Sequence, residues 1–397
     1  MKIAAIYWPT SSVGGINTLF ESLRKAAIAQ GDEFDVIRCG NLKTIKPEKF
    51  AEPKLIRGGD TFITVHGDSS HHPDQIQGTI KWLEENYDAV YFGYLCPHEN
   101  KAYGSEPVFM PMYTDLKLPK VSCIVDAYWD SYADWAIPCF PHIKRTVVSQ
   151  IAYAEPLVKM GMPVEAIKAP ITPKLNIQSV RSDESLTVWT SQWKTIKGID
   201  KLLPHIPAIS EVSKVELYSN GILYYQIRED EEWKAAVGKD HFKEFNGYGK
   251  AEFFGYVSTD EIPEILTRSW FMIDLQGIGK PKHEAYRNGA YNYTTIEALL
   301  YGSCPILHAQ ALKSIIPKEF FLTIEHPKEI AELIRTSKDF ALDPVRQKNA
   351  REWVLDIHSD SATYNVIKES FALPDPVVDI SGFLKKDEPA DLFSMFG

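Results

Sequence analysis

The stretch Tyr291-Asn292-Tyr293-Thr294-Thr295-Ile296-Glu297-Ala298-Leu299-Leu300-Tyr301-Gly302-Ser303-Cys304-Pro305-Ile306-Leu307 decides the fold. It reads as an apolar helix that stops at Gly302 and runs straight into a short strand, Pro305–Leu307. The reading places Glu297 on the first turn of that helix. Helix N-termini carry unpaired backbone N–H groups, so Thr294, Thr295 and Glu297 are expected to face a polar ligand there.

Outward from this segment the chain alternates strands and helices. Upstream, short apolar runs at Leu186–Thr190, Val215–Ser219, Glu252–Tyr256 and Phe271–Leu275 are separated by helical patterns near Ile199–Ile206 and Thr259–Thr267. An earlier series begins at Lys2–Tyr7. There Gly14-Gly15 opens a helix reaching about Gln30, and strands follow at Phe34–Arg38, Thr61–His66, Ala89–Tyr94, Val121–Val125 and Arg145–Ser149. The pattern predicts an α/β protein with two Rossmann-like domains facing across a cleft. The expected domains are residues 1–178 and 186–343, with closing helices at 344–373 and a flexible tail at 374–397.

Composition narrows the function classes. The 397 residues are 44% hydrophobic and 24% charged, enough for more than one core. The N-terminal segment reads as a strand rather than a signal peptide, and a cytoplasmic protein is expected. Five scattered cysteines, Cys39, Cys96, Cys123, Cys139 and Cys304, suggest neither a disulfide framework nor a zinc site. A net charge of −10 argues against a surface that grips nucleic acid everywhere. A local patch is compatible with it: Lys43, Lys46, Lys49, Lys54 and Arg57 cluster against only Glu48 and Glu52. His71 and His72 lie near Asp68 and Asp74, a grouping read as a solvated loop rather than a metal site. His66 reads as structural.

Two glycine-bearing turns hold the remaining candidates. Gly14 and Gly15 sit where a small residue lets a sugar or phosphate approach the backbone, although a tight strand-to-helix turn explains them equally well. In Thr190-Ser191-Gln192-Trp193-Lys194-Thr195-Ile196-Lys197-Gly198, a lysine just before a helix can reach an anionic group. Lys197 is the first choice and Lys194 the second.

Taken together, Lys197-Gly198-Ile199, Phe254-Gly255-Tyr256-Val257, Phe271–Leu275 and Glu297 with Gly302 and Pro305 resemble the nucleotide-binding half of retaining GT-B glycosyltransferases. Val147-Val148-Ser149-Gln150 through Gly161-Met162-Pro163 resembles the end of their acceptor domain. Within that superfamily, three stretches resemble the hydroxymethylcytosine-DNA glycosyltransferases of T-even phages. They are Arg268-Ser269-Trp270-Phe271 with Tyr293–Glu297, Leu118–Val125 leading to Tyr128-Trp129-Asp130-Ser131, and Glu284, Tyr286 and Arg287 in the donor loop.

The resemblance implies a UDP-sugar donor (UDP-glucose or a UDP-pentose such as arabinose), no firm metal requirement, and duplex DNA carrying hydroxymethylated bases as acceptor. It also implies retention of configuration. Lys197, Lys194 and Arg287 would meet the diphosphate, Tyr293, Thr294, Thr295 and Glu297 the nucleotide, and Asp130 or Asp126 would orient the acceptor hydroxyl. Tyr128, Trp129, Tyr132 and Trp135 would line a pocket for a flipped base, and the lysines from Lys43 to Arg57 would track phosphates.

The chain departs from the family at Gln192, where an arginine is usual, and at Gly289, where the first of two glutamates is usual. The loop after Val125 also has no histidine, offering Asp126 and Asp130 instead. The terminal Asp391-Leu392-Phe393-Ser394-Met395-Phe396-Gly397 resembles phage peptides that dock on a sliding clamp, through Leu392, Phe393, Met395 and Phe396. The rival expectations are a GT-B enzyme acting on a polysaccharide, lipid-linked or protein acceptor, and a non-catalytic DNA-associated binding protein.

Overall fold

In the computed structural model the described residues are 1–7, 15–38, 54–56, 60–62, 73–93, 110–124, 137–148, 154–166, 171–174, 177, 179–191, 197–218, 251–255, 257–258, 260–276, 278 and 293–382. The first series of strands is β1 (Lys2–Tyr7), β2 (Glu33–Arg38), β3 (Lys54–Ile56), β4 (Asp60–Phe62), β5 (Ala89–Phe92), β6 (Lys120–Ile124), β7 (Arg145–Val148) and β8 (Val164–Ala166). They form one sheet in the order β3-β4-β2-β1-β5-β6-β7-β8, parallel except for the antiparallel β3–β4 pair. The helices of this half are α1 (Gly15–Ala29), α2 (Pro73–Asn86), α3 (Pro111–Thr114) and α4 (Ala154–Lys159).

The sequence dictates this layering. All four residues of β5 are buried, as a parallel strand covered on both faces requires. On α1 the buried Leu19, Phe20, Leu23, Ala26 and Ala27 recur at helical spacing and pack on Ile3, Ala5, Phe34 and Tyr91 of the sheet.

The second half holds β9 (Leu186–Trp189), α5 (Ile199–Leu202), α6 (Ile206–Ser210), β10 (Lys214–Tyr218), β11 (Ala251–Gly255), α7 (Ile262–Arg268), β12 (Phe271–Asp274), α8 (Tyr293–Leu300), β13 (Cys304–His308) and β14 (Leu322–Ile324). Its sheet is parallel, in the order β11-β10-β9-β12-β13-β14. The strand order reverses direction between β9 and β12. In an open α/β sheet such a point leaves a crevice at the carboxyl ends of the strands.

Four more helices follow: α9 (Ile330–Thr336), α10 (Lys338–Leu342), α11 (Pro344–Ile357) and α12 (Asp360–Ser370). Ala350 and Val354 of α11 pack on Ile296, Leu299 and Leu300 of α8. The Arg346 guanidinium donates to the carbonyls of Phe340, Phe320, Gly302 and Ala341 at 3.0–3.3 Å. Helix α12 belongs to the other half, because its Tyr364 and Ile367, with Phe371 just past its end, join the core beneath α1.

The return passage lies beside the outward one. Ile171 pairs in parallel with Ser359: its N–H donates to the His358 carbonyl at 2.8 Å and its carbonyl accepts from Asp360 N at 3.0 Å. On the first half, Asp32 then accepts from the Met1 ammonium at 2.8 Å, the Tyr364 hydroxyl at 2.9 Å and Lys368 Nζ at 2.5 Å.

Two expectations change here. Residues 374–382, expected to begin a flexible tail, lie against the first half instead. Val378 and Ile380 pack on its core, Asp379 N donates to Met160 O at 2.8 Å, and Lys144 pairs with Asp375 at 2.6 Å. Part of the basic stretch from Lys43 to Arg57, for which no strand was expected, is the edge strand β3. Its three residues are too short a run for alternation to register.

Candidate functional site

The carboxyl edge of the second sheet gathers the site. Trp189 ends β9 fully buried, and its indole N–H donates to the Ser191 carbonyl at 3.0 Å. Beyond it Gly198 caps α5 at φ 81°, a left-handed conformation that glycine adopts without strain. A Cβ at Gly198 would lie 2.6 Å from the Leu275 carbonyl oxygen and 2.7 Å from Leu275 Cβ. The glycine therefore lets the turn after β9 press against the end of β12. That contact carries Lys197 across the switch point, where its Nζ donates to Gln276 Oε1 at 3.0 Å.

Helix α8 reaches the same edge. It runs directly into β13 through Gly302 at φ 86°, where a Cβ would meet Arg181 Nη2 at 2.6 Å. Because β13 is parallel to the other strands, α8 points its N-terminus at their carboxyl ends. The hydroxyl of Thr295 donates to Asp274 Oδ2 at 2.5 Å, tying the first turn of α8 to the end of β12. Asp274 Oδ1 accepts in turn from the backbone N–H of Gln276 at 3.0 Å.

Glu297 is half-buried and its carboxylate, among the described residues, forms no hydrogen bond or ion pair. Burial pushes its carboxyl up to about 7. Nearby, the Thr294 hydroxyl is buried without a hydrogen-bond partner, as is the Thr190 hydroxyl just past β9. Burial also raises the Tyr293 phenol well above its usual range, and the Glu297 and Asp360 carboxylates add to that rise. A lysine at one end and a carboxylate without a hydrogen-bond partner among the described residues at the other suit a ligand with an anionic group and a hydroxyl-bearing group.

The candidate residues divide accordingly. Lys197, Tyr293, Thr294, Thr295 and Glu297 come to this edge. Thr295 corrects the expectation that it faces a ligand: it is fully buried and turned inward onto Asp274. Helix α8 begins at Tyr293, so Glu297 lies one turn in rather than on the first turn. Gly15 is the first residue of α1, after β1 and at the switch point of the first sheet between β1 and β5. Gly14, Asp126, Asp130, Lys194 and Arg287 lie outside the described residues, as do Gly289, the aromatic cluster from Tyr128 to Trp135, and the tail residues Leu392, Phe393, Met395 and Phe396.

The sequence reading missed Asp274 and Gln276. Their signal was present, since an apolar run that ends in an acid, Phe271-Met272-Ile273-Asp274, is unusual for a buried strand. Among the described residues no group of three or more His, Cys, Asp or Glu side chains could hold a metal ion, and no helix is long and apolar enough to cross a membrane.

No protein-family model matches the sequence, and no curated protein matches it significantly. Solved structures do match. The Anabaena HepE protein in complex with UDP superposes with a TM-score of 0.64 at 12% identity, over 94% of this chain and 100% of that one. An α-glucosyltransferase in complex with UDP and a 13-mer DNA containing an HMU base gives 0.62 at 13% identity, over 94% and 99%. S. aureus TarM in complex with fondaparinux, α-GlcNAc-glycerol and UDP gives 0.61 at 10% identity, over 94% and 99%. At these identities the likeness is one of fold. The chain has the GT-B architecture: two Rossmann-like halves and closing C-terminal helices.

Proposed function

We propose that this protein is a retaining, UDP-sugar-dependent glycosyltransferase that glycosylates 5-hydroxymethylcytosine, or a closely related hydroxymethylated base, in duplex DNA. The observation that carries the donor side is the Lys197–Glu297 arrangement at the switch point of a GT-B sheet. Lys197, with Lys194 and Arg287, offsets charge on the departing diphosphate, and Glu297 accepts from the ribose hydroxyls. Tyr293 and Thr294 flank the nucleotide, while Gly14 and Gly15 let the donor approach the backbone of the first half. Asp130 or Asp126 orients the acceptor hydroxyl.

The acceptor rests on the three stretches that resemble the DNA glycosyltransferases, with support from the fold neighbour crystallised on HMU-containing DNA. The setting is the cytoplasm of an infected cell, where modification protects phage DNA from restriction. In this reading the terminal Leu392, Phe393, Met395 and Phe396 hold the enzyme to a sliding clamp.

The test is incubation with UDP-glucose and UDP-arabinose, separately, on duplex DNA containing hydroxymethylcytosine. Digestion and mass spectrometry should reveal a heavier nucleoside, with NMR reporting an α linkage. Absence of product with every donor overturns the proposal. UDP-sugar turnover on a glycan or lipid acceptor but not on DNA would keep the donor assignment and replace the acceptor.

A further inference from the structure

A hydrogen-bonded path crosses the floor of the crevice. Lys197 Nζ donates to Gln276 Oε1, the Gln276 backbone N–H donates to one oxygen of Asp274, and the other oxygen of Asp274 accepts from Thr295 Oγ1. Glu297 follows two residues later on the same helix. Asp274 is 3% exposed and Thr295 0% exposed, so neither side chain reaches into the crevice. A carboxylate at the end of a buried strand is unfavourable on packing grounds and is tolerated when its oxygens are hydrogen-bonded. Here the two oxygens serve two different elements, the turn after β12 and the first turn of α8.

We infer that Asp274 is a positioning residue that holds the cationic end and the carboxylate end of the donor site in register. This inference rests on the donor reading above. Through Gln276 it aims the Lys197 ammonium, and through Thr295 it fixes the start of α8 and with it Glu297. Lysine is a long, flexible side chain. Restraining it before a ligand arrives removes ordering from the binding step, which is how preorganisation raises affinity. A purely structural Asp274 would hold α8 in place without making the contribution of Lys197 depend on Thr295.

Calorimetric titration with UDP and with uridine separates the two roles. The proteins are the wild type, Thr295→Val, Thr295→Ser, Lys197→Ala and the Lys197→Ala/Thr295→Val double variant, each assayed below its melting temperature. Valine keeps the shape of threonine and removes the donor. Thr295→Val should weaken UDP binding about tenfold and uridine binding about threefold, and Thr295→Ser should recover most of the loss. In the Lys197→Ala background the effect of Thr295→Val on UDP should shrink to its effect on uridine, because the path no longer has a cation to aim.

Equal losses in both backgrounds, or no loss from Thr295→Val, overturn the inference and leave the donor assignment standing. A wild-type protein that binds neither ligand removes the donor assignment and this inference with it. Should Thr295→Val melt below the assay temperature, Gln276→Leu cuts the same path and is held to the same non-additivity.

Discussion

Two carboxylates, Asp32 on the first half and Glu297 on the second, have opposite surroundings. Asp32, at the start of β2, is nearly covered. Burial alone would raise its carboxyl, but Lys368, the Met1 ammonium and Tyr364 donate to it and bring it down to about 2. Glu297, on α8, has no such donors among the described residues, and burial leaves it at about 7. Asp32 is satisfied from within the chain and joins α12 to the first half. Glu297 carries acceptor capacity that no described residue uses, which suits a side chain kept for a ligand. The contrast separates a carboxylate that holds the structure together from one that, in the proposed function, is held ready for a ligand.

The largest expected effect that could break this contrast is on stability. Asp32→Ala leaves Lys368, Tyr364 and the terminal ammonium without their shared acceptor. It should lower unfolding free energy by about 2–3 kcal/mol in urea titrations at pH 7, with UDP affinity retained. Glu297→Gln should do the reverse, weakening UDP binding about tenfold or more while leaving the urea midpoint at pH 7 at or above that of the wild type, because a buried carboxyl no longer has to ionise. If both substitutions cost stability alike, Glu297 is a structural residue.

Next in size are the pH dependences, which have opposite signs. The Asp32 carboxyl is lowered in the folded state, so its stabilising contribution is present above about pH 4 and is lost as pH falls toward 2; Asp32→Asn should remove that part of the acid transition. The Glu297 carboxyl is raised, so the folded state holds a proton that the unfolded chain releases, and stability declines as pH rises from about 4.5 to 7. Uridine, which carries no phosphate, should bind more tightly as Glu297 ionises, gaining up to about fivefold between pH 6 and 7. Glu297→Gln should flatten that profile, and an unchanged profile would detach the titration from Glu297. The smallest effect belongs to Tyr364→Phe, which removes one of the three donors to Asp32 and should cost about 1 kcal/mol.

Much of this architecture was legible in the sequence because parallel strands announce themselves as compact apolar runs. Leu186–Trp189 and Phe271–Asp274 are buried throughout, and the helix ending at Gly302 is flanked by unambiguous signals. The three-residue strands β3 and β14 were not identified, since so short a run carries no period. Residues 374–382 were read as tail because Pro374 and Pro376 end helical patterning. Val378 and Ile380 are too few to signal the packing that fixes them.

At the site, Lys197 and Glu297 were legible as charges placed at helix starts. Asp274 was visible only as an acid ending an apolar run, and its partnership with Gln276 and Thr295 was not, because that depends on strand order. Only when β12 lies beside β9 do residues 197 and 276 meet.

The chain leaves the first sheet at Ile171 and returns to it at Asp360, and those two points are hydrogen-bonded neighbours. In connectivity, the whole second half is an insertion into a host made of discontinuous pieces. A guest whose ends meet can be exchanged for another without tearing its host, a route by which one first half could be matched to different second halves. The same arrangement sets an order of assembly during synthesis. The core under α1 cannot close until Tyr364, Ile367 and Phe371 have left the ribosome, by which time the inserted half is already complete and able to fold.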